Sequence, residues 1–363
     1  MKIESVQVDL LRVPPPGAYM AGGRKVTGYW HVLARVRTTG GIEGFGYIVA
    51  LQESMVRAVA VAARELAAGL VGIDVLDHER AWAALEHAGN WVGPGGLLHY
   101  AISPLDIAMW DAAGKTLGQP LYRLLGGYTD RLPVYASDGF WYNLTPAQLA
   151  QSARDRVAEG FTAVKLRIGH ERSPDAEVER VRAVRDAVGP EVRILVDATE
   201  TWDLPTAMRT GTALQEAGIH WLEDPVAHQD VAGMARLSEH LQVPIATGEH
   251  LYQASDFARL IEARGTSIAL IDLGRIGGIT PWMRVAGLAQ SFGMRVCGHV
   301  LPEVHAHLAP AVPNGYLIEY VPRSASILKA MPAIEAGCLV APRGPGLGLE
   351  LDEAAVRAFQ VPL

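Results

Sequence analysis

Residues 192–249 read VRILVDATETWDLPTAMRTGTALQEAGIHWLEDPVAHQDVAGMARLSEHLQVPIATGE, and how this stretch divides decides the fold. Three short apolar runs, VRILVD at 192–197, IHWLE at 219–223 and PIATGE at 244–249, each end in a carboxylate, and each gap between them has room for one helix. Short buried runs separated by helix-length segments are what parallel strands joined by helical crossovers look like in sequence. The rhythm extends both ways, with PVYASD starting at 133, TAVKLR at 162, IALID at 268, MRVCG at 294 and GYLIE at 315. Between the first runs lie the helical patterns TPAQLAQSARDRVAEG at 145–160 and SPDAEVERVRAVRDAV at 173–188. Eight such runs predict an α/β barrel, although periodicity alone leaves a doubly wound parallel sheet open.

In a parallel barrel the functional face lies at the C-terminal ends of the strands. The second run ends Lys165-Leu166-Arg167, the third at Asp197, the fourth at Glu223, the fifth at Glu249, the sixth at Asp272, the seventh at His299 and the eighth at Glu319. These seven consecutive runs are apolar inside and ionisable at the tip. Carboxylates from three adjacent strands, Asp197, Glu223 and Glu249, would repel one another at coordination distance unless a cation intervened. Oxygen ligands without thiolate or imidazole predict Mg²⁺, with Mn²⁺ possible. A salt-bridged rim without an ion is the alternative.

Outside the barrel, strand-like runs near 2–12, 29–38 and 43–49, with a turn at Thr39-Gly40-Gly41, precede helical patterns at 52–70, 77–88 and 99–116. That order predicts a separate α+β domain ending near Gly126-Gly127, in keeping with a chain of 363 residues exceeding what one core usually holds. A net charge of -7 gives no electrostatic footprint for nucleic acid or an anionic membrane, which leaves a small molecule as the expected partner. The apolar stretch at 56–72 is broken by Arg57, Arg64 and Glu65, so it reads as an amphipathic helix. Two cysteines make no disulfide framework, and the opening MKIESVQVDL lacks the basic and apolar regions of a leader, so a cytoplasmic setting is expected.

An ordered set of motifs then narrows the reading: AISPLDIAMWDAAGKTLGQPLYRLLGG at 101–127, AVKLR at 163–167, LVDA at 195–198, WLEDP at 221–225, TGE at 247–249, DLGRIGGIT at 272–280, GH at 298–299 and PGLGLELDE at 345–353. Over essentially its whole length the chain resembles the enolase superfamily, specifically the mandelate racemase subgroup. The resemblance implies a modified TIM barrel, (β/α)7β, over residues 131–330, and an α+β capping domain formed by residues 1–130 with a C-terminal segment, 331–363, returning to it. It also implies that Asp197, Glu223 and Glu249 bind Mg²⁺, that Lys165 and Glu319 contact a substrate carboxylate, and that Arg167 and the His299/Asp272 pair occupy acid/base positions on opposite faces. A homo-oligomer is implied as well.

The chemistry so implied is abstraction of a proton next to a carboxylate through an enediolate, whose charge a cation and a Lys donor would stabilise. His299 is the expected base, with Asp272 fixing its tautomer. Glu319 helps only if it is held protonated, which requires a raised pKa. Arg167 departs from the racemase prototype, which has a second lysine there; a guanidinium stays protonated and is a poor base. One-base chemistry is therefore expected: dehydration of an aldonic or aldaric sugar acid to a 2-keto-3-deoxy acid. The alternatives are a racemase or epimerase of a 2-hydroxy acid, for which Lys165 would have to act as second base, and a cycloisomerase of a sugar-acid lactone.

Substrate contacts are expected from Tyr19, Met20, Arg24 and Lys25 in the glycine-rich segment 14–30, which reads as a lid or a plain surface loop. Trp141, with Phe140 and Tyr142, either lines the pocket or packs. Thr199 stands where the prototype has an amide facing the substrate hydroxyl. His250 is either a contact of the site or a helix-start residue. Cys297 is expected to be packed, and Asp272 at the head of GRIGGIT argues against phosphate binding there.

Overall fold

The computed structural model describes residues 1–363 apart from 16, 18, 22, 23 and 172, and describes only the backbone at 19–21 and 24. The N-terminal region is an antiparallel sheet of β1 (Ile3–Val13), β4 (Tyr29–Thr38) and β5 (Glu43–Ala50), with β2 (Tyr19–Ala21) and β3 (Arg24–Val26) forming a separate two-stranded hairpin. The expected turn joins β4 to β5: the Thr38 N–H donates to the Ile42 carbonyl at 2.9 Å, and Gly41 sits at φ 79°. Helices α1 (Glu53–Ala67), α2 (His78–Ala88) and α3 (Gly96–Leu117) follow. α3 is buried along most of its length because the sheet covers one side and the barrel the other. Gly46 permits this approach, since a Cβ there would lie 2.4 Å from the Ala108 nitrogen.

The eight runs form β6 (Arg131–Ala136), β7 (Ala163–Arg167), β8 (Arg193–Asp197), β9 (Trp221–Glu223), β10 (Ile245–Thr247), β11 (Ile268–Asp272), β12 (Arg295–His299) and β13 (Gly315–Tyr320). All neighbours pair in parallel, and β13 closes on β6, which settles the barrel against the open sheet. Alternate side chains point inward, and Tyr135, Ala163, Leu195, Trp221, Ala246, Ile268, Leu270, Cys297 and Leu317 make the interior plug. Cys297 is thus packing, and burial pushes its thiol up to about 12. Register aligns the tips: Asp197 pairs with Glu223, Glu223 with Ala246, and Asp272 with His299.

The C-terminal segment first forms the hairpin β14 (Ile334–Glu335) and β15 (Cys338–Val340), with β15 antiparallel to β6, and only then reaches the N-terminal sheet, where β16 (Gln360–Val361) pairs with β1. Among the described residues no helix is long and apolar enough to cross a membrane.

Asp111 of α3 ties that helix to β5 and to the C-terminal segment. Its buried carboxylate accepts from the Phe45 N–H at 2.9 Å, the Leu347 N–H at 2.8 Å and the Lys115 ammonium at 2.7 Å. Gly346 can carry no side chain beside it, because a Cβ would come within 2.2 Å of the Asp111 carboxylate. Asp111→Ala strands two buried N–H donors and is expected to cost about 3 kcal/mol, read as a lower urea midpoint with Asp111→Asn in between. An unchanged midpoint would show that water replaces the carboxylate freely.

Candidate active site

Eight predicted residues, Lys165, Arg167, Asp197, Glu223, Glu249, Asp272, His299 and Glu319, meet at the strand tips under the cap. Lys165 leaves β7 into the barrel mouth, where its Nζ lies 2.5 Å from Glu223 Oε1, 2.9 Å from Glu319 Oε1 and 3.7 Å from Asp197 Oδ2. Burial would favour a neutral amine, but these carboxylates outweigh it and raise its pKa. A lysine held this way carries the positive charge that a donor to a substrate carboxylate needs.

Glu319 corrects the expectation of a protonated acid. Its Oε1 accepts from Ser137 Oγ at 2.5 Å and from Lys165, and its Oε2 accepts from the Val300 N–H at 2.8 Å. Burial alone would raise its pKa, yet Lys165, His299 and Arg167 hold it well below the usual range. It is an anion that orients cations.

The three carboxylates proposed from sequence as metal ligands occupy neighbouring tips but are each drawn aside. Asp197 Oδ1 accepts from the Thr199 N–H at 2.8 Å, Glu223 Oε2 accepts from Trp221 Nε1 at 3.1 Å, and Glu249 Oε2 lies 3.2 Å from His299 Nε2. Burial, with mutual repulsion added, raises Asp197 to about 6 and Glu223 well above its ordinary value. Glu249 is held low despite burial, by His299 and His250. Two other trios, Glu200–His228–His250 and Asp224–Glu249–His250, bring one ligand atom each within 4.8 Å of the others, closer than Asp197, Glu223 and Glu249 come together. Lys165 lies against Glu223 and His299 against Glu249, so each of these carboxylates faces a different partner.

His299 is oriented by Asp272, with Nδ1 2.6 Å from Asp272 Oδ2. Asp272 is in turn fixed by the Arg275 N–H at 2.7 Å. Burial opposes ionisation of Asp272, but Arg275 and His299 hold it at about 2, so it accepts the Nδ1 proton and leaves Nε2 for exchange. At the tip of β7, Arg167 Nη1 donates to the Ser137 carbonyl at 2.5 Å and Nη2 to Ser137 Oγ at 2.9 Å, while its guanidinium stacks 4.1 Å over the Trp141 ring. Trp141 therefore shapes the wall through Arg167. Thr199 lines the cavity, 3.4 Å from the Tyr142 hydroxyl, and Lys25 lines it from the cap. The side chains of Tyr19, Met20 and Arg24 lie outside the described residues.

Sequence reasoning missed Ser137, which joins Glu319 to Arg167, and the cluster behind Glu249. There Glu200 Oε1 lies 2.8 Å from His228 Nδ1 and 3.2 Å from His250 Nδ1. Burial opposes a charged His250, but Asp224 and Glu200 push it up to about 11. The lost signal was backbone: of seven described non-glycine residues at positive φ, five (Thr199, Glu200, Asp224, Val300 and Leu301) immediately follow barrel strands. Strain concentrated there is typical of functional turns.

Comparison with known proteins agrees with this architecture. Residues 148–355 match the family model described as enolase C-terminal domain-like, and residues 12–126 match the mandelate racemase / muconate lactonizing enzyme N-terminal domain. The chain is 31% identical to L-talarate/galactarate dehydratase of Salmonella typhimurium, with 99% of this chain and 92% of that protein covered. It is also 31% identical to 3,6-anhydro-alpha-L-galactonate cycloisomerase of Streptomyces coelicolor, covering 96% and 97%. The crystal structure of L-talarate dehydratase from Polaromonas sp. JS666, complexed with Mg and L-glucarate, superposes with a TM-score of 0.92 at 31% identity, covering 99% and 98%. The chain belongs to the mandelate racemase / muconate lactonizing enzyme family of the enolase superfamily.

Proposed function

We propose that this protein is a Mg²⁺-dependent lyase that removes the proton next to a sugar acid's carboxylate and expels the neighbouring hydroxyl, giving a 2-keto-3-deoxy acid. The observation that carries the reading is the asymmetry of the two faces: an Asp272-held imidazole on one, and a guanidinium pinned to Ser137 on the other. Racemisation needs a proton-exchanging group on both faces, whereas dehydration runs from one.

Asp197, Glu223 and Glu249 would hold the ion. They fit it as a hard oxygen set whose buried charges repel, with their pKa values reset by one another. When bound, it supplies positive charge to the carboxylate oxygens where negative charge gathers as the proton leaves. Lys165 donates to the same substrate carboxylate, and its own charge is fixed by Glu223 and Glu319. His299 Nε2 takes the α-proton. The resulting imidazolium returns a proton to the β-hydroxyl as the C–O bond breaks, so water leaves and the enol product becomes the keto acid. Arg167, charged throughout, binds a substrate oxygen from the other face. Lys25, Trp141 and Thr199 complete the substrate contacts in this reading.

Relatives include sugar-acid dehydratases and cycloisomerases, so the deciding experiment separates the two reactions. A library of sugar acids and lactones is incubated with Mg²⁺ in D₂O. Dehydration yields a semicarbazide-reactive keto acid. Deuterium at the α-carbon without keto acid, or lactone consumption without keto acid, would replace the proposed reaction with epimerisation or cycloisomerisation. The reading places the protein in a reducing cytoplasm, in keeping with its free cysteines. It also makes the protein a homo-oligomer, for which Trp91, 96% exposed beside the exposed Val92, offers an apolar contact.

A further inference from the structure

The cavity over the strand tips has a volume of about 870 Å³, within the range of small-molecule sites. Its acidic lining residues, Asp197, Glu249 and Asp272, all sit at strand tips, while the cap side contributes Lys25 and the turn after β13 contributes Arg323. Most cations facing this space are spoken for. Lys165 has Glu223 and Glu319, Arg167 has Ser137, and Arg275 donates to the Glu249 carbonyl and faces Asp272.

Arg323 is different. It is half-buried, and its Nε is sealed from solvent with no hydrogen-bond acceptor. Its guanidinium stands 6.0 Å over the Tyr29 ring, and among the described residues no carboxylate pairs with it. The basic group near it, His31, is brought down to about 4, chiefly by burial and further by Arg323 itself, so it adds no second positive charge beside the guanidinium. A guanidinium partly removed from water without a counter-charge is unfavourable until an anion arrives, and its fork of N–H donors matches a carboxylate.

We propose that Arg323 binds a second carboxylate at the far end of the substrate, so that the substrate is an aldaric diacid and not an aldonic monoacid. The inference rests on the sugar-acid reading above: the strand tips take the reacting carboxylate, and Arg323 reads the distal one from the same cavity. Lys25, exposed on the cap side, adds charge of the same sign.

The test compares kcat/KM for hexaric acids with that for the matching hexonic acids, using the full chain with Mg²⁺. The wild type favours diacids. Arg323→Met lowers the diacid-to-monoacid ratio by about 100-fold, the size expected when one partner of a desolvated charge pair is truncated. Arg323→Lys, which keeps the charge and loses the fork, falls between them and separates a recognition defect from a folding defect. A wild type that prefers monoacids, or a ratio unmoved in Arg323→Met, overturns the proposal while leaving dehydration standing. If neither class is turned over, the sugar-acid reading fails and this inference falls with it.

Discussion

His299→Asn lowers kcat by about 10³-fold or more, within the range that a positioned general acid–base supplies and near its upper end because one imidazole serves two proton transfers. Asparagine keeps an amide that can still face Asp272, so the tip of β12 retains its shape while the exchangeable nitrogen is lost. No neighbour substitutes for it. Arg167 stays protonated against the Ser137 carbonyl, and Lys165 is locked between Glu223 and Glu319. Two readouts check this result. Keto-acid formation and wash-in of deuterium at the α-carbon should fall together, and Mg²⁺-induced thermal stabilisation should remain, since His299 only borders Glu249 at 3.2 Å. Exchange that continues in His299→Asn would move the base elsewhere.

The strand tips were legible in sequence because each is an ionisable residue closing an apolar run, and a parallel barrel buries both faces of its strands. Even β9 and β10, only three residues each, kept their place through Glu223 and the Gly248-Glu249 pair that follows β10. What sequence could not supply was the balance of opposed terms. Whether Glu319 is acid or anion depends on burial against a lysine 2.9 Å away, and that distance exists only because closure of β13 on β6 brings the first and last parts of the barrel sequence together. Ser137 and Arg323 were invisible for a related reason: each follows a strand in a turn without a motif, and only the closed barrel brings them to the cavity. Glu200, His228 and His250 lie in three separate turns after successive strands, so their meeting is a product of the parallel pairing of β8, β9 and β10.

Removing divalent cations abolishes turnover, by at least about 10³-fold if the ion supplies roughly 4 kcal/mol of charge stabilisation, and readdition of Mg²⁺ restores it. Stability should move too. Asp197, Glu223 and Glu249 are now held apart by Lys165, His299 and backbone donors, and an ion that draws them together binds the folded chain alone. At a concentration one hundred times its dissociation constant it adds about 2.7 kcal/mol, visible as a higher Tm. Two variants locate the ion independently of catalysis. The Mg²⁺-dependent rise in Tm should survive in His250→Ala and disappear in Glu223→Gln. The reverse pattern would place the ion on Asp224, Glu249 and His250, the tighter cluster in this structure. That outcome is disfavoured by ligand chemistry: an imidazole charged by Asp224 and Glu200 must shed its proton before it can bind a metal, and Mg²⁺ takes oxygen ligands in preference to imidazole.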